Sequence, residues 1–230
     1  KQAKRDISMA ILHHYPLAAS SRFIRLQCGE YKMELELVTQ LPWLREEKLL
    51  ALNPAGELPV FEDENYGVVS GARVISEWLE DIVEENFLMP EKAGERAEVR
   101  RLIDWFEGKF TLEVTRPLLR ERVIKRFQSG EAASSQILRA GLANAQIHLG
   151  YIDWLAGQYS WLAGSDISLA DLAAAAHISV LDYFGDVDWR RYPEAKLWYM
   201  KLKSRPSFRP LLSDVLVGMP PASHYSNLDF

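Results

Sequence analysis

The side chains able to do chemistry are few and scattered. There are five histidines, at His13, His14, His148, His177 and His224, and a single cysteine, Cys28. No two histidines have the HExxH spacing that places a pair of imidazoles on one helix face for zinc, and one thiol cannot complete a sulfur-rich site. No metal centre is expected. His177 lies in the alanine-rich run SLADLAAAAHISVLDYF and reads as a satisfied core histidine. His13-His14 close a short apolar run and read as packing residues that are able to face a cleft. Cys28, inside a helical stretch, reads as a small buried hydrophobe rather than a nucleophile. The turn NPAG lacks the GxGxxG or GxxxxGK context of a phosphate loop.

Recognition residues are better candidates than catalytic ones. Trp43 stands in the proline-bearing loop QLPWLREE, where an aromatic side chain either anchors a partner or packs against the helical half. The ending MPPASHYSNLDF is too rich in proline for a helix and carries Tyr225, Leu228 and Phe230, whereas an ordinary terminus is polar and frayed. That ending either packs back on the body or presents an apolar motif. The run RPLLRERVIK offers Arg116, Arg120, Arg122 and Lys125 to an acidic surface, although such runs are usually solvated faces.

The elements that must position these residues fall into two halves with different periods. Strand patterns occupy ISMAILHH (7–14), the alternating MELELV (33–38), LPVFED and YGVVS, with helical stretches at SSRFIRLQCGE and EEKLLAL and a third from Ala72. The order β-α-β, then β-β-α, predicts a mixed four-stranded sheet over residues 1–86. Beyond Pro90 no strand pattern remains. Helical spacing recurs in ERAEVRRLIDWFEGKFTLEVTRPLL, in SSQILRAGLANAQIHLGYIDWLAG, in SLADLAAAAHISVLDYF, where Ser168 and Asp171 have capping-box spacing, and in PEAKLWYMKLKSRPSF. An all-helical domain over 92–217 and a tail over 218–230 follow. A formal charge of −5 supplies no basic field for a phosphate backbone, so nucleic acid is excluded as an expected partner. No apolar run reaches the roughly 18 residues of a membrane span. With one cysteine and too short an apolar N-terminal run for a secretory signal, the expected compartment is the cytoplasm.

NPAGELPVFEDE followed by ARVISEWLED resembles the N-terminal, thioredoxin-like domain of the glutathione transferase family, and WLAGSDISLADLAAAA resembles the capped buried helix of its C-terminal domain. The resemblance implies an α/β thioredoxin-like domain followed by an all-α domain, a cis Leu58–Pro59 bond, and a homodimer. DWFEGKF, KSRPSFRPLL and the tail GMPPASHYSNLDF resemble a cell-division branch of that family whose members bind filaments of the tubulin-like protein FtsZ. This closer likeness implies FtsZ filaments as partner, a place at the division site, and a partner surface that includes Trp43, His224, Tyr225, Leu228, Asp229 and Phe230.

The family's chemistry is less well provided for. Glutathione must be held and its thiol, with an ordinary pKa near about 8.5, must be ionised by a donor or a helix dipole. The serine- or cysteine-type activating position falls on Ala18, which donates nothing, and Tyr15, Ser20 and Ser21 are the available substitutes. Two serines ahead of a helix are more often caps. The acidic residue and hydroxyl that take the γ-glutamyl end fall on Gly71-Ala72. What remains is the backbone of Leu58 before Pro59, the nearby Ser70, and helix amides worth ~0.3–1 kcal/mol against lost charge-assisted contacts of ~1.5–3 kcal/mol each. The expectation is a dimer that is non-catalytic or weakly active, needs no cofactor and binds FtsZ. The alternatives are a glutathione S-transferase or glutathione-dependent reductase using Tyr15, Ser20 or the amides of the first helix, and a redox or stress adaptor with another partner.

Overall fold

The computed structural model describes residues 10–230, so the part of the first expected strand over 7–9 lies outside the described residues. Strand β1 (Ala10–His14) occupies the middle of the sheet, pairing in parallel with β2 (Leu35–Thr39) and antiparallel with β3 (Val60–Asp63), which pairs antiparallel with β4 (Gly67–Ser70). The order is therefore β2-β1-β3-β4. β2 begins later than the alternation at 33–38 implies, because the Met33 amide donates to the Cys28 carbonyl (2.9 Å) and closes the preceding helix instead of joining the sheet.

Helix α1 (Ala19–Glu30) lies on the sheet and is buried from Ala19 through Cys28 except for Ser20. A short α2 (Glu47–Leu52) crosses to β3, and α3 (Ala72–Ile82) covers the sheet beside α1. The helical half starts with α4 (Ala93–Asp104), which continues without a break through Arg116–Leu119 (α5) to Lys125–Gln128 (α6). The intervening segments, Trp105–Thr115 and Arg120–Ile124, are wound wider, with i→i+5 bonding. Wide turns of this kind are rare and concentrate at functional sites. They make one long helix where the sequence pattern offered a simple α-helical period.

The long α7 (Ser135–Gln158), the central α8 (Leu169–Phe184), α9 (Pro193–Lys203) and the single turn α10 (Arg209–Leu212) complete the chain. Every residue of α8 from Leu169 to Tyr183 is buried, as in a helix packed on all sides, and its polar side chains Asp171, His177, Ser179 and Asp182 are each hydrogen-bonded. At its start the Asp171 carboxylate accepts from the Ser168 amide (2.9 Å), the Leu162 amide (2.8 Å) and the Trp198 indole (2.9 Å). The Ser168 hydroxyl also donates to this carboxylate.

α1 packs directly along α8, so the two halves share one core. Arg22 of α1 is wholly buried at this junction. Its guanidinium donates to the Pro16 carbonyl (2.6 Å), the Ser179 hydroxyl (2.8 Å), the Tyr225 hydroxyl (2.8 Å) and Asp214 (3.1 Å), and Arg25 joins the same carboxylate at 2.7 Å. Removing one partner of a buried ion pair strands the other. Arg22→Ala is therefore expected to lower unfolding free energy by about 3–5 kcal/mol in urea titration.

His14, buried beside this cluster, has no hydrogen-bond partner for Nδ1 among the described residues. Burial, reinforced by the positive field of Arg25, holds its pKa down at about 4 against an ordinary 6.5. The unfolded chain thus takes up a proton near pH 6.5 that the folded chain refuses until about pH 4. Stability should fall on acidification across that window by ~1.4 kcal/mol per pH unit. Urea midpoints at pH 7 and 4.5 should show the loss, and His14→Gln should flatten it.

Candidate functional site

A cleft of about 570 Å³ lies between the sheet domain and the helical domain. One wall comes from the β1–α1 turn, the Pro42-Trp43 loop, Leu58 and the start of α3, and the other from the long helix and His177 of α8. Each expected site residue can be placed against it.

Ala18 lines the cleft as the residue preceding α1, and its methyl supplies no cap or donor. The hydroxyl of Ser20 donates across the cleft to Glu107 at 2.6 Å, so it is already engaged. Ser21 corrects the sequence expectation: it is fully buried and its hydroxyl accepts from the Tyr15 amide (3.4 Å), leaving it unable to face a ligand. Tyr15 is 7% exposed, meets the Trp43 ring edge-on at 5.2 Å, and lines the cleft. Among the described residues its hydroxyl has no hydrogen-bond partner, and burial pushes its pKa far up, so it stays protonated.

Leu58–Pro59 is cis, as the family resemblance implies, and the backbone N–H and C=O of Leu58 are unpaired among the described residues. Ser70 lines the cleft on β4, its backbone paired opposite Val60. Gly71 precedes α3 at φ +88°, and its amide donates to the Pro59 carbonyl at 3.1 Å. A Cβ there would meet nothing within 4 Å, so the backbone conformation, not space, selects glycine. Neither Gly71 nor Ala72 offers a polar side chain to an ammonium or carboxylate group.

The sequence reading missed the opposite wall. Glu107, Thr111 and Thr115, four residues apart on the wide segment, all line the cleft. Glu107 Oε1 accepts from His177 Nε2 at 3.1 Å, and His177 Nδ1 lies 3.2 Å from the Thr115 hydroxyl. The available signal was a polar row beside the apolar row Phe106, Phe110 and Val114. His177 is a satisfied core histidine that also reaches the cleft.

The remaining candidates sort by burial. Cys28 is inaccessible, its thiol pushed up to about 12 by burial. His13 is tied to Glu62 and Gln40, and His148 to Trp105 and Glu113. No group of metal-ligating side chains occurs among the described residues. No described helix is long and apolar enough to cross a membrane. The basic run is largely self-neutralised, with Arg116 3.6 Å from Glu57, Lys125 2.8 Å from Glu121, and Arg122 on Asp186.

The tail packs back on the body. Tyr225 is fully buried, donating to the Leu211 carbonyl (3.0 Å), which corrects its expected place on a partner surface. His224 bonds Asp182 at 3.0 Å, a buried carboxylate that also holds Lys203 at 3.0 Å. Phe230 lies over the Lys203 ammonium (4.1 Å) and beside Trp189 (5.0 Å). Leu228 and Asp229 remain exposed.

A mixed four-stranded sheet with a cis-proline edge, opposed by a bundle around a buried capped helix, defines the glutathione-transferase fold. The family described as "Glutathione S-transferase, N-terminal domain" matches residues 24–82. A glutathione S-transferase structure from Sinorhizobium meliloti 1021 is 47% identical with a TM-score of 0.94, covering 97% of this chain and 100% of that one. FtsZ-localized protein A of Caulobacter vibrioides is 45% identical over 222 residues, 95% of this chain and 97% of that protein. The structure of FzlA from C. crescentus matches at 44% identity and a TM-score of 0.93, covering 97% of this chain and 100% of that one. The chain belongs to the glutathione S-transferase family and, within it, is similar to FtsZ-localized protein A.

Because Ala18, Gly71 and Ala72 bring no polar side chain to the cleft, calorimetric titration with glutathione is expected to give no sub-millimolar binding. A conjugation assay with an electrophilic aromatic substrate should stay at the uncatalysed rate. Tight binding with turnover would restore the enzymatic alternative.

Proposed function

We propose that this protein is a non-catalytic, or at most weakly active, dimeric cell-division factor of the cytoplasm that binds FtsZ filaments at the division site. The observation that carries this reading is a conserved fold joined to an altered site. Nearly the whole length is similar to a protein named for its localisation with FtsZ, while Ala18 and Gly71-Ala72 remove the groups that would activate and specify glutathione. Function belongs to the site rather than the fold, and this site lacks the family's tools. The enzymatic alternative would use Tyr15, Ser20 or the amides of the first helix, with Leu58, Pro59 and Ser70 as what remains of a glutathione site; Tyr15, Ser20, Leu58 and Ser70 line the cleft.

A two-fold dimer presents each filament-binding surface twice, so that two weak contacts add through avidity and one molecule can bridge or bend a filament. Exposed apolar side chains at Val68 on β4, Val74 on α3 and Ile147 on α7 suit such a contact. Trp43 with the exposed tail residues Leu228 and Asp229 is the proposed filament surface. His224 and Phe230 hold the tail in place, and Tyr225 anchors it from inside.

Co-sedimentation with FtsZ assembled in GTP tests this. The protein should pellet with polymer and stay in solution without it, and light scattering should give twice the 26.3 kDa chain mass. Trp43→Ala, or Leu228→Ala with Asp229→Ala, should reduce pelleting several-fold, and the exposed tail pair should do so with the unfolding midpoint unchanged. Absence of pelleting by the parent protein would refute the proposal.

A further inference from the structure

The inner end of the cleft has the wrong sign for a thiolate. Glu107 is 4% exposed in its side chain and lines the cavity, at the point where Ser20 in the first turn of α1 meets the helical domain. A carboxylate is acceptor-only, with room for about four hydrogen bonds. The described residues supply two of them, from Ser20 and His177. Acceptor capacity therefore remains at a buried charge. The neighbouring cations are committed elsewhere: Arg73 pairs with Asp104, and Arg116 with Glu57. Tyr15, 7% exposed, lines the same cavity, and its hydroxyl has no hydrogen-bond partner among the described residues. The rest of the lining is apolar or aromatic, including Trp43, Leu58, Leu119 and Val123.

We propose that this cleft binds small molecules with an apolar body and a cationic, hydrogen-bond-donating head, an arylalkylamine being the simplest, and that Glu107 selects them. An ammonium group gains a charge-assisted bond to a carboxylate whose field is poorly screened in a buried site. An anion at the same place meets that field as repulsion. The Trp43 and Tyr15 rings supply faces for the apolar body and for the cation. The cavity volume of about 570 Å³ is ordinary for a small-molecule site. Glu107, Thr111 and Thr115 all sit on the widened helical segment, a conformation concentrated at functional sites. The specificity is thus the reverse of the one an acidic thiol peptide requires, and it does not depend on filament binding.

Calorimetry at neutral pH with 2-phenylethylamine, 2-phenylethanol and phenylacetate varies only the head group. The amine should bind at least tenfold more tightly than phenylacetate, with the alcohol between them. Glu107→Gln, which keeps the size of the side chain and its capacity to hydrogen-bond Ser20, should erase that preference. Should this variant fail to fold, the His177 imidazole resonances of the parent protein give the readout: they should shift with the amine and not with phenylacetate. Equal affinities, no binding by any of the three probes, a preference that survives Glu107→Gln, or unshifted His177 resonances would overturn the assignment.

Discussion

The Arg22 guanidinium holds the molecule together as one body. It is buried at the meeting point of the β1–α1 turn, α8, the loop after α10 and the tail, and it donates to all four. A buried charge is tolerable only when its hydrogen bonds are nearly complete, so each partner is obligatory and its position is determined. The consequence reaches the cleft. The Pro16 carbonyl fixes the turn that carries Tyr15 and Ala18, and therefore fixes one wall relative to the helical domain that forms the other.

A second buried hub makes the tail part of the fold. Asp182 collects Lys203, His224, Tyr199 and Trp189, and the Lys203 ammonium lies under the Phe230 ring. Burial lowers the Lys203 pKa while Asp182 opposes that shift. The chain end is therefore an anchored strap rather than a frayed peptide, and its partner-facing content narrows to side chains at its outer edge. This separates residues that hold the strap from residues available to a filament, a distinction that resemblance alone does not make.

In the cleft, the changes relative to a glutathione site point one way. Ala18, Gly71 and Ala72 line the cleft without a polar side chain, and the Glu107 carboxylate of the helical domain is bonded to Ser20 in the first turn of α1. Helix N-terminal amides favour anions in general. Here a side chain of the protein's own supplies negative charge close to that end, which disfavours an incoming thiolate. A missing hydroxyl and a missing acid would withhold contacts from glutathione, and Glu107 would repel its thiolate, so three separate features each weaken such a ligand.

The sequence by itself determined the two-domain architecture, the order of strands and helices along the chain, the proline at the cleft edge and the absence of polar side chains at Ala18 and Gly71-Ala72. Those features are local: periods of two and 3.6, turn residues, and fixed offsets within a motif. The same local signals placed Cys28 and His177 in the core. Only the tertiary structure decided which of Tyr15, Ser20 and Ser21 reach the cleft, since the path of the β1–α1 turn places Tyr15 and the neighbours Ser20 and Ser21 point in different directions on α1. It also buried Tyr225, which resembled an exposed anchor while its partner Arg22, 203 positions away in the chain, was out of view. Glu107 was hidden for the same reason. Its meaning lies in Ser20 and His177, 87 and 70 positions distant, and burial with a partner at such separation is a property of the folded packing that no local pattern encodes.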